Sequence, residues 1–218
     1  MPGNRNNKDN KILALNYIKE QIITCAIPPG ATIQADEIAA HLKISKTPVR
    51  EALLELQYEN YVTIVPRKKT VVSPISLKDL EYIYEARSLN EIAILSNLTP
   101  EDIDAHRQEL EALKQQWENI PTATDSKNAY MGFLKQDTEF HIQLVHLSQN
   151  PHLIRFCSEL IYKSQRFWYM ALFNNSLETI RAEHLAILNA LLSKHITEAA
   201  NKARQHVSIS KAVSILSN

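Results

Sequence analysis

The chain has 218 residues, enough for a small domain joined to a larger one. Only three are glycine, against roughly 7% in average usage, and Gly3 lies in the N-terminal leader, leaving Gly30 and Gly132. Gly-rich phosphate loops cannot be built from these, and sandwiches or barrels with a turn every ~10 residues are not expected. The 24 Lys+Arg and 24 Asp+Glu cancel, yet residues 1–75 carry 10 basic and 7 acidic side chains and the remainder 14 and 17. A basic front and an acidic back hint at nucleic acid at the front.

Along the chain, residues 1–8 are polar and expected to be disordered. Ile12, Leu15, Ile18 and Ile22, with Lys19 outward, recur at helical spacing from about Asp9 to Cys25, and Pro28-Pro29-Gly30 stops that helix. Short helices fit 35–42 and 46–59. The β-branched runs 61–65 and 70–72, either side of Pro66-Arg67-Lys68-Lys69, form a two-stranded ribbon with a basic tip. Beyond Ser73-Pro74 everything is helical, with Ser76 and Asp79 able to cap a helix to about Asn97. Thr99-Pro100-Glu101 starts another, running to about Glu118. Further helices fit about 127–148, 151–173, 176–192 and 196–215. The expected fold is mostly α, with domains at 9–75 and 76–218. Cys25 and Cys157 are too far apart in sequence to suggest a disulfide framework. The opening MPGNRNNKDNK lacks the apolar stretch of a secretory signal, and no apolar run reaches the ~18–20 residues of a membrane span. The expected location is the cytoplasm, away from membranes.

Helix, short turn, helix and ribbon is the order of a winged helix-turn-helix, whose second helix enters the major groove of DNA. Ser45 or Thr47 can cap that helix, and Pro48 is tolerated in its first turn. Lys46, Thr47 and Arg50 then project from its N-terminal end, while Ala52, Leu53 and Leu56 face the core. Arg50 can donate a bidentate pair to guanine, and Arg67, Lys68 and Lys69 can meet phosphates or the minor groove. The bland alternative is a solvated helix and a solvated turn. The stretch Ile44-Ser45-Lys46-Thr47-Pro48-Val49-Arg50-Glu51-Ala52-Leu53 resembles the DNA-binding domain of GntR-type bacterial regulators. That resemblance implies DNA-contacting roles for Ser45, Lys46, Thr47, Arg50 and the wing residues. The family usually has Arg at position 46, and Gly at positions 60 and 69, where this chain has Lys46, Asn60 and Lys69.

In the back half, the inward stripe of helix 127–148 holds Asp137 and His141, four residues apart on one face. His184 falls on the apolar stripe of helix 176–192, and His206 on that of the last helix, with Ser210 and Val213. A buried carboxylate and three imidazoles need partners, and one cation would satisfy all four. This donor set suits a divalent transition metal such as Zn²⁺, Ni²⁺, Mn²⁺ or Co²⁺. The plain alternative is hydrogen-bonded core histidines. Asp137-x3-His141, Glu183-His184 and His206 also resemble the FCD ligand domain of the FadR branch, whose metal-binding members use an Asp or Asn and three His. Six expected helices after residue 76 are similar to its VanR-like group.

Arg87 lies on an inward stripe with Leu80, Tyr84 and Ile94. It either pairs with Glu91 one turn away or clamps an effector carboxylate. Phe167, Trp168 and Tyr169 fit core or pocket wall. The expected function is a ligand-responsive regulator, a repressor by resemblance, acting as a homodimer on a near-palindromic double-stranded operator. By resemblance its effector is a small organic acid, and it is not an enzyme. Two alternatives stand beside it: the same regulator with a metal-free effector pocket, and a metallohydrolase with a DNA-binding appendage. The hydrolase lacks a placed base, because Glu183 neighbours His184 and should point about 100° away along the helix.

Overall fold

A computed structural model describes residues 7–65, 68–74, 76–122, 127–172 and 176–208. It divides into two units, Met1–Ser76 and Leu77–Asn218.

The first unit contains α1 (Asn7–Ile23), β1 (Thr32–Ile33), α2 (Ala35–Leu42), α3 (Lys46–Tyr58), β2 (Val62–Val65) and β3 (Lys69–Val72). α1 packs on α3 by a stripe of Ala14, Ile18 and Ile22, all fully buried, against Val49, Ala52 and Leu56. The expected stripe included Ile12, which is instead 46% exposed, and Leu15, which is only half-buried. Lys19, expected outward, turns onto α3: its Nζ donates to Glu59 at 2.8 Å and lies 4.9 Å from the Tyr61 ring centroid. Cys25 takes a left-handed φ of 52° just after α1, so the chain turns before the prolines are reached. Lys43 (φ 55°) ends α2 in the same way, and its N–H bonds back to the Ala39 and Ala40 carbonyls.

The strands form an antiparallel sheet of order β1-β3-β2, with Thr32 opposite Val71 and Ile64 opposite Thr70. β1 was not expected. Two residues are too few to show a period, and pairing with β3 makes them a strand.

The second unit is helical among the described residues: α4 (Leu77–Ser96), α5 (Pro100–Ala105), α6 (Arg107–Glu118), α7 (Lys127–His146), α8 (Pro151–Leu172), α9 (Leu177–Leu192) and α10 (Ile196–His206). α4 packs on α8 and α10, α8 on α7, α10 on α9, and α9 on α6. Thr99 opens α5 with a capping box closed by Asp102, and Asn150 Oδ1 accepts from the His152 N–H at 3.0 Å to open α8.

The single helix expected over 99–118 breaks at His106, giving seven helices among the described residues of this unit rather than six. The helix count therefore no longer points to the VanR-like group. The cause lies in the apolar stripe. Ile103, Leu110, Leu113 and Trp117 are buried, but the intervening turn holds His106 and Arg107. Those two are half-buried and bond to polar groups, His106 to Gln149 and Arg107 to Asp104 and the Leu192 carbonyl. α10 ends at His206, short of the expected 215; Ser210 and Val213 lie outside the described residues.

Candidate metal centre and nucleic-acid face

On the first unit, α3 buries Pro48, Val49, Ala52, Leu53 and Leu56 and leaves Ser45, Lys46, Thr47 and Arg50 exposed. Ser45 occupies the N-cap position without a side-chain cap bond, so its hydroxyl does not serve the helix end. Lys46 Nζ rests 2.8 Å from Asp36 on α2, an exposed pair worth little in water. Lys68 and Lys69 are exposed at the wing turn, and Arg67 lies outside the described residues. Asn60 follows α3 with φ 64°, the left-handed backbone that glycine or asparagine tolerates.

In the second unit, α7, α9 and α10 bring Asp137, His141, His184 and His206 together. All four are buried, with one donor atom from each within 4.8 Å of the others. His184 Nε2 lies 2.8 Å from His206 Nε2, which lies 3.2 Å from His141 Nε2. Asp137 Oδ1 is 3.5 Å from His184 Nε2, and its Oδ2 accepts a hydrogen bond from the Trp168 indole.

Two carboxylates stand behind the imidazoles. Glu91 Oε2 faces His141 Nδ1 at 2.8 Å, and Glu183 Oε2 faces His206 Nδ1 at 2.7 Å. Burial alone would raise the Glu91 carboxyl, but Arg87 and His141 overcome it and bring it down to about 2. Glu91 is thus ionised and accepts only, and His141 Nδ1 carries the proton. Burial lowers His141 to about 4, so the ring is neutral near pH 7.

The donor set fits a divalent cation. His141 and His206 set Nδ1 against carboxylates and turn their Nε2 atoms toward one another, 3.2 Å apart, an arrangement a cation would relieve. Two imidazoles bound to one ion at ~2.0–2.1 Å have nitrogens about 3.0–3.4 Å apart, close to the separations seen. The walls are aromatic: Phe140 stacks on His184 with ring centroids 3.8 Å apart, and Trp117 meets it edge-on at 4.0 Å. A small cavity lined by Glu91, Leu144, Ile187 and Val207 opens beside His141 and His206.

Arg87 is buried and pairs with Glu91, its Nε donating to Oε1 at 2.8 Å, while Nη1 donates to Ser164 Oγ at 2.9 Å. Among the described residues Nη2 meets no hydrogen-bond partner. The pairing with Glu91 is therefore present, and one donor of the fork remains. Sequence reasoning missed Glu91 and Glu183 as partners of the histidines, and Trp168 as partner of Asp137.

Residues 14–72 match the description "Bacterial regulatory proteins, gntR family", and residues 82–208 match the FCD domain. The chain belongs to the gntR family and carries an FCD domain. A similar relative is the HTH-type transcriptional regulator in the TAR-I ttuE-ttuC' intergenic region of Agrobacterium vitis. It is 33% identical over 132 residues, which cover 61% of this chain and 77% of the relative. The HTH-type transcriptional repressor RspR of Escherichia coli (strain K12) is 23% identical over 201 residues, 86% of each chain. The solved structure of E. coli McbR/YncC has the same fold, with a TM-score of 0.67 at 23% identity, covering 95% of this chain and 97% of that one. The homologues of this FCD-domain chain are transcriptional regulators, and it is a DNA-binding regulator rather than an enzyme. Among the described residues no helix is long and apolar enough to cross a membrane.

Proposed function

We propose that this regulator is a repressor that binds a near-palindromic operator as a homodimer. Its FCD unit takes one divalent transition metal, Zn²⁺ or Ni²⁺ before Mn²⁺ or Co²⁺, and a small carboxylate effector. The observation that carries this reading is the convergence of four buried donors from three helices within 4.8 Å. Asp137, His141, His184 and His206 would hold the ion. When bound, it supplies Lewis acidity and open positions for an oxygen ligand. The remaining donor of Arg87 supports a second grip on the effector's carboxylate.

On the DNA side, exposed Ser45, Lys46, Thr47 and Arg50 on α3 would meet the major groove, with Arg67, Lys68 and Lys69 on phosphates. Repression is supported by the printed names of two relatives, RspR and the probable D-xylose utilization operon transcriptional repressor of Paenarthrobacter nicotinovorans. Self-association is supported by large apolar side chains left exposed, Tyr82 and Leu89 on α4 and Phe156 and Tyr162 on α8.

The test is the metal content of protein purified without a chelating column, wild type against His184→Ala. About one equivalent per chain, lost in the variant, is the result expected of a four-ligand site. Wild-type protein that is empty and takes up no added Zn²⁺, Ni²⁺ or Mn²⁺ would sink the metal and favour a pocket that hydrogen-bonds its effector directly.

A further inference from the structure

The carboxylate of Glu91 is shared between two partners on different sides of it. Oε1 accepts from Arg87 Nε at 2.8 Å, and Oε2 faces His141 Nδ1 at 2.8 Å. Arg87 is itself held from α8, where Ser164 Oγ accepts from Nη1 at 2.9 Å and donates to the Ile161 carbonyl at 2.7 Å. A continuous chain of bonds thus runs from α8 through Arg87 and Glu91 on α4 to His141 on α7.

We propose that Glu91 is a positioning residue that fixes His141 in the tautomer protonated on Nδ1, with Arg87 and Ser164 fixing Glu91 in turn. The proposal rests on the reading that His141 is a metal ligand, but its first consequence concerns the metal-free ring. An ionised carboxylate can only accept, so the shared proton sits on Nδ1 and the Nε2 lone pair is left facing the cluster. Buried at 4% exposure, Glu91 needs a cation, and Arg87 at 3% exposure provides it.

Glu183 faces His206 in the same way, but its side chain is 32% exposed. The two carboxylates therefore differ: one is locked inside the bundle and one is open to water. The locked one sits on α4, whose first residue, Leu77, directly follows the boundary of the DNA-binding unit. Anything that draws on Arg87, including a carboxylate taking its remaining donor, acts on the same side chain that sets His141.

The experiment is nitrogen-15 NMR of the histidine rings in metal-free, full-length protein near neutral pH, with His141 assigned by its loss in His141→Gln. Wild type is expected to show the proton on Nδ1 of His141. The double variant Arg87→Met/Glu91→Leu removes both charges at similar volume and so leaves no lone buried ion. It is expected to move the proton to Nε2 or to a mixture. Zn²⁺ affinity, measured by competition with a chromophoric chelator, should fall by about 10–100-fold with the stoichiometry unchanged. Glu183→Gln should leave the His141 signals in place, which a general loosening of the bundle would not.

A wild-type proton on Nε2 overturns the proposal. So does a folded double variant with the same tautomer and an affinity within about twofold of wild type. If the double variant does not fold, the wild-type spectrum and Glu183→Gln decide. A wild-type ring protonated on Nδ1 in a protein that takes up no metal upholds the positioning of His141 and ends the metal reading.

Discussion

Arg50 and Lys68 are both exposed cations of the first unit, yet their positions ask different things of them. Arg50 projects from the first turns of a helix whose other face is buried, where a planar fork can pair with a guanine edge. Lys68 sits in the turn between β2 and β3, where a point charge can neutralise a phosphate. In the proposed complex, Arg50→Ala is expected to cost about 1–3 kcal/mol and relax the preference at one base position. Lys68→Ala should weaken binding evenly across sequences and lower the slope of log affinity against log salt by about one. Anisotropy titrations on a selected operator and its point variants, at several salt concentrations, separate the two. Equal losses on all sequences for Arg50→Ala would remove it from base recognition.

At the scale of elements, the ends of helices carry much of the local design. Asn60 closes α3 with φ 64°, and its N–H bonds back to the Gln57 carbonyl. Asn60→Ala is expected to destabilise the winged unit by about 1 kcal/mol, since a Cβ without a local polar group is strained there. Asn60→Gly should be neutral or slightly stabilising, as read by calorimetry of the full chain.

Such ends were legible in the residues themselves. Thr99-Pro100 and Asn150-Pro151 announce helix starts, and the run from Ile44 to Leu53 carries the start and first turns of α3. What stayed hidden was tertiary. β1 exists only because β3 pairs with it, and the break at His106 follows from what a polar turn finds to bond. The four inward residues Asp137, His141, His184 and His206 could be picked out by period along each helix, and the structure gathers them into one cluster. Their supports could not, because Glu91 lies 50 residues from His141 and Trp168 lies 31 from Asp137. No spacing rule spans such gaps.

For the whole molecule, two units with separate cores mean that one unfolding free energy does not describe the chain. The proposed metal ligands all lie in the second unit. Added Zn²⁺ should therefore raise one calorimetric transition and leave the other in place. The gain expected is about 2.7 kcal/mol at a free concentration one hundred times the dissociation constant. A chelator should reverse it. A shift of both transitions together would mean that the units unfold as one, and no shift would argue against a metal in the native state.

The chain has two tryptophans, and both abut this cluster: Trp117 stands edge-on to His184, and Trp168 bonds to Asp137. Excitation of tryptophan consequently interrogates the centre of the FCD unit and nothing in the winged one. The emission is a built-in optical gauge. A paramagnetic ion such as Ni²⁺ arriving at the cluster would dim it without any label, while the tyrosines Tyr17, Tyr58 and Tyr61 supply the only aromatic phenols by which the DNA-binding half could be watched.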